Sequence, residues 1–191
     1  KLEQAPPTSR WQLAWTLYNA DRRRLERRFP VRIAADRVIQ MQRFLDAWQA
    51  ALPEKQPDSE ADRDAIAMLR AEINKHRDEL TENKIQRRNC LAVFPWLSTL
   101  VDLVDVDGRG RPVDFAEVAE TIDEISRQIP KGTESDKTSD QWNPTAREIY
   151  NAFGSWKRFY ADYDPEFDWW VGESSAVLQE QLQTWAASVP Q

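Results

Sequence analysis

Residues 62–80, DRDAIAMLRAEINKHRDEL, decide the fold class. Ile66, Leu69, Ile73 and Leu80 recur three, four and seven apart. That spacing places one apolar stripe on a helix and cannot line one face of a strand, whose side chains repeat every second residue. His76 falls on the same stripe, and Ser59 stands where a helix would be capped, so a long helix is expected from Ser59 to about Arg88.

The same pattern extends in both directions. Trp11, Trp15, Tyr18 and Leu25 predict a helix from Ser9 to about Phe29, ended by Pro30. Val38, Met41, Leu45 and Trp48 predict a second, from about Val31 to Leu52. Beyond the long helix, Pro95 restarts the chain into a piece carrying Trp96, Leu97, Leu100, Val101 and Val104. Asp114 and Glu117 form a capping-box pattern for a helix over 114–129. Residues 130–142 are polar, with Pro, Gly and Ser, and read as an exposed loop. Asn143-Pro144 opens a helix carrying Tyr150, Phe153, Trp156, Phe159, Tyr160 and Tyr163. Asp164-Pro165 breaks it, and a last helix over about 166–187 carries Trp169, Val177, Leu178, Leu182 and Trp185. No segment shows sustained period-two alternation. The expectation is an all-α chain, an irregular bundle of six or seven helices forming a single helical domain over 9–189 behind a lead-in over 1–8.

Composition narrows the chemistry. The 191 residues include one histidine, His76, and one cysteine, Cys90, which excludes an intramolecular disulfide and zinc sites built on paired cysteines or histidines. Five glycines, with only Gly108 and Gly110 close together, leave no phosphate-cradling loop. No apolar run approaches the length of a membrane span, so none is expected. The net charge of −6 is uneven. Residues 1–50 carry 10 basic and 5 acidic groups, and residues 51–191 carry 16 and 27. The basic run at Arg22, Arg23, Arg24, Arg27 and Arg28 is interrupted by Glu26, and the rest of the chain would repel phosphate backbones. No nucleic-acid partner is expected. The chain opens on Lys1 rather than methionine. This creates the expectation of a lost N-terminal segment, as in a mature exported or periplasmic protein or a trimmed one.

Four constellations could carry function. DVDGRGRPVDFAE, residues 105–117, resembles a calcium loop, with Asp105, Asp107 and Gly110 at positions one, three and six. Arg109 stands where an oxygen ligand belongs, and Glu117 falls one place late, so calcium is not expected and the bland reading is a turn into a capped helix. His76 reads as a hydrogen-bonded core residue and Cys90 as a small buried apolar one. Asp162, Asp164, Glu166 and Asp168 could supply an acid–base pair, but acids at a helix start are far commoner. Finally, Trp142, Tyr150, Trp156, Tyr160, Trp169 and Trp170 are the candidate binding residues of a tryptophan-rich groove for a ligand or protein partner. No catalytic residue is assigned.

Three stretches, 62–80, FPWLSTLVDLVD (94–105) and above all FYADYDPEFDWWV (159–171), resemble the N-terminal helical region of the bacterial domain-of-unknown-function 885 (DUF885) family. The resemblance spans most of residues 10–187. It implies a zinc-dependent, metallopeptidase-like parent whose His-Glu metal motif lies further towards the C-terminus. No such motif occurs in this sequence. The resemblance therefore implies a non-catalytic domain that packs against, or frames a peptide cleft in, a missing C-terminal region, with zinc belonging to the fuller protein. The alternative is a stand-alone helical binding module.

Overall fold

In the computed structural model, residues 10–55, 59–105, 113–129 and 143–188 are described. Among them are seven helices and no strand: α1 Arg10–Arg28, α2 Ala35–Ala51, α3 Glu60–Val93, α4 Trp96–Asp105, α5 Phe115–Gln128, α6 Asn143–Tyr163 and α7 Pro165–Ser188. The chain is all-α. None of these helices is long and apolar enough to cross a membrane.

The stripe on α3 does what its spacing requires. Ile66, Leu69, Ile73, His76 and Leu80 are all buried. Together with Tyr18 of α1 and Met41 and Leu45 of α2, the apolar members form one core. The helix continues past Arg88 to Val93, so its 34 residues extend about 51 Å. Its C-terminal end enters a second core at Cys90, which is fully buried with Trp96, Leu97, Leu100 and Val101 of α4. Ten residues separate Leu80 from Cys90, so α3 joins two cores about 15 Å apart along its axis. Phe94 ends it outside the α region, at φ −126° and ψ 76°, since the following Pro95 disfavours a helical residue there, and α4 restarts through Leu97 N–H donating to Phe94 O at 3.1 Å.

The second helix begins four residues later than Val31, where the sequence pattern put its start. Val31, Ile33 and Ala34 are fully buried, but in the α4–α7 core. Pro30 turns the chain, and burial of these side chains against the other core outweighs one more helical turn. The link is then tied down by hydrogen bonds: Arg87 Nη1 donates to Ile33 O at 2.7 Å, and Arg37 Nη1 to Phe29 O at 2.5 Å.

The second core is completed by α5, α6 and α7, with α7 packed along both of the others. Asp114 caps α5, its carboxylate accepting from the N–H groups of Ala116 and Glu117. At the α6–α7 corner, Asp164 Oδ1 accepts from Glu166 N–H at 3.0 Å, and Pro165 takes the first helical position. Aromatic edges fill the layer: Trp96 and Trp185 meet at 5.2 Å between centroids and 74°, with Phe94 5.4 Å from Trp185.

Candidate functional site

The aromatic residues expected to share a groove are divided by the fold. Trp156 is only 3% exposed. Its ring lies 5.6 Å from Phe153, 5.4 Å from Tyr160 and 5.5 Å from Phe167. Tyr160 is partly buried and meets Phe115 at 5.5 Å, and Tyr150 packs half-buried on the same core. These three serve the interior. Trp169 and Trp170 do not: they are 83% and 51% exposed. Trp142 lies outside the described residues.

Helical phase explains the split. The buried positions of α7 are Phe167, Val171, Ser175, Leu178, Leu182 and Trp185, spaced three or four apart throughout. A stripe running from Trp169 through Val177 lies off that face, and Val177 is accordingly 47% exposed. Phe167 was the missing signal, since starting the register there picks the buried face.

The exposed set has a second half that the sequence reading did not single out. Phe159 and Tyr163, one turn apart on α6, are 44% and 79% exposed. Their rings stack at 5.3 Å and 21°. Four large aromatic side chains thus stand in solvent within six residues of Asp164. Asp162, Glu166 and Asp168 are exposed around them. Glu166 and Asp168 occupy the first turn of α7, where the helix dipole favours acids, and not a shared cleft. Residues 160–191 hold six acids and no base, so the α7 side of this corner is acidic, while Lys157 and Arg158 precede Phe159 on α6.

Asp105 ends α4, half-buried; Glu117 is exposed on the first turn of α5, engaged at its backbone N–H by Asp114; Asp107 lies outside the described residues. Among the described residues no three His, Cys, Asp or Glu side chains form a group that could hold an ion. The one histidine is committed elsewhere, its Nδ1 bonded to the Tyr18 hydroxyl and its Nε2 facing Glu72 Oε1 at 3.4 Å. Cys90 sits in the other core, its thiol pushed up to about 12 by burial. It forms no nucleophilic pair with His76.

A feature with no counterpart in the sequence reading is a groove between the α1–α2 link and α6, walled by arginines from both. No single segment announces it, because its walls come from residues more than 100 positions apart. Comparison with protein-family models, with curated proteins and with solved structures finds no match.

Proposed function

We propose that this chain is a non-catalytic helical docking module whose aromatic corner between α6 and α7 is covered by another protein surface, in keeping with its resemblance to the N-terminal region of the domain-of-unknown-function 885 family. The observation that carries the reading is the exposure of Trp169, Trp170, Tyr163 and Phe159 together. Exposing one large aromatic is ordinary; gathering four at one corner of a small protein marks a contact surface. Indole and phenol rings are the side chains that contribute most to such contacts. The natural occupant is the downstream, catalytic region of a metallopeptidase-like parent, for which this domain packs or frames a peptide cleft.

The test begins with the reading frame beyond Gln191. A downstream His-Glu motif is expected, and the longer protein should shield the corner. Hydroxyl-radical footprinting reads this directly: Trp169, Trp170 and Tyr163 are oxidised in the 191-residue chain and protected in the longer protein. A stop codon directly after Gln191, or equal oxidation in both proteins, overturns the reading. The competing reading, a self-contained binding module, draws its support from the arginine-lined groove instead.

A further inference from the structure

The groove between the α1–α2 link and α6 encloses about 850 Å³. That is within the range of small-molecule clefts, roughly 300–1,000 Å³. Its charge runs against the rest of the molecule. Arg27 and Arg28 come from the last turn of α1, Arg32 from the link and Arg147 from α6, against two carboxylates, Asp105 and Glu148. Among the described residues, four cations against two anions leave an excess of two positive charges, in a chain whose overall charge is −6.

Glu148 Oε1 accepts from the backbone N–H of Arg32 at 2.7 Å, and Oε2 from its Nε at 3.0 Å. This two-point grip holds the Arg32 guanidinium at the wall and takes neither of its Nη nitrogens. Among the described residues, no carboxylate pairs with Arg27 or Arg147. Part of this arrangement has a structural reason, since cations at the end of α1 suit its dipole. That reason does not reach Arg32 or Arg147, which are brought opposite α1 by the fold. The remaining lining is mixed. Pro30, Val104 and Ala152 give an apolar floor with the edge of Trp156, while Asn151 and Ser155 offer amide and hydroxyl groups.

We propose that this groove binds a dianionic small molecule bearing a compact apolar group, a phosphate monoester or a dicarboxylate. Two negative charges neutralise the excess, and guanidinium forks match both anion types in two-point contacts. The apolar group lies on the floor of Pro30, Val104 and Ala152. The site stands independently of the aromatic corner.

Phenyl phosphate and isophthalate, titrated into the 191-residue chain by calorimetry, test the assignment, with benzyl alcohol as the neutral control. At least one dianion is expected to bind saturably and to weaken as salt rises, as a charge contact must. The tighter of the two identifies the anion class. The double variant Arg27→Gln, Arg147→Gln should lose about tenfold or more in affinity, the equivalent of one charge-assisted hydrogen bond. Arg23→Gln, on α1 outside the groove, should leave affinity unchanged. Circular dichroism checks that the variants are folded; all three substituted positions are exposed, and Arg147→Gln alone serves if the double variant does not fold. No saturable binding of either dianion up to about 10 mM, equal binding of benzyl alcohol, or unchanged affinity in the groove variant overturns the proposal.

Discussion

The hydroxyl of Tyr18 lies 2.6 Å from Nδ1 of His76, joining α1 to α3 across 58 residues of sequence. Both side chains are buried, and the Tyr18 ring packs against Phe44 at 5.2 Å and edge-on to Trp48 at 5.5 Å. Because Nε2 faces the Glu72 carboxylate, a neutral imidazole carries its proton there, and Nδ1 then accepts from the phenol O–H. Burial raises the phenol pKa and, as the largest influence on it, lowers that of the imidazole, helped by the Arg22 charge. Glu79 and Glu72 pull the imidazole the other way, and Lys75 adds to the lowering. The net result is a histidine kept neutral in the folded protein.

Stability should therefore fall in mild acid. The folded pKa of His76 lies below the unfolded value of 6.5, so the unfolded chain binds the proton first. The contribution is complete above 6.5 and is lost as pH drops through that value towards the folded pKa. Urea midpoints measured at pH 7.5 and in steps below 6.5 check this, and His76→Gln should flatten that part of the profile.

Tyr18→Phe should destabilise by about 1–3 kcal/mol, because it leaves a buried imidazole nitrogen without its donor while keeping ring packing. Chemical denaturation measures it. A loss no larger than that of an exposed substitution would mean that the bond contributes nothing.

The two classes of tryptophan should behave oppositely. Trp156→Ala empties the centre of the α6–α7 core and should cost about 3–5 kcal/mol. Trp169→Ala, at 83% exposure, should stay within about 0.5 kcal/mol of the parent. Thermal melts of both variants separate interior packing from surface contact.

Arg37 fastens the end of α1, donating to Phe29 O and, at 3.4 Å, to Glu26 O. Arg37→Met keeps much of the buried stem but removes these bonds and should cost about 2 kcal/mol. Hydrogen exchange should show the loosening first at the C-terminal turn of α1.

Cys90 should resist thiol reagents in the native protein. It is fully buried and its thiol is pushed up to about 12, so little thiolate exists near neutral pH. Reaction with Ellman's reagent should be slow in buffer and immediate in denaturant.

The sequence by itself determined the helices. Ile66, Leu69, Ile73 and Leu80 could be read as one buried stripe, and Asp114 and Asp164-Pro165 as helix boundaries, because periodicity, caps and prolines act within a few residues. The burial of His76 was legible for the same reason, and that of Cys90 from the usual place of a lone cysteine. Only the tertiary structure decided which apolar residues were buried where. Val31 and Ile33 could have extended α2 but joined the far core. Trp156 went inside while Trp169 and Trp170 stayed out, because a tryptophan is compatible with either and only the phase set by Phe167 and Val171 against α5 and α6 chooses. The groove was not legible at all: Arg27 and Arg147 become neighbours through packing between segments 120 residues apart, and no local pattern encodes that distance.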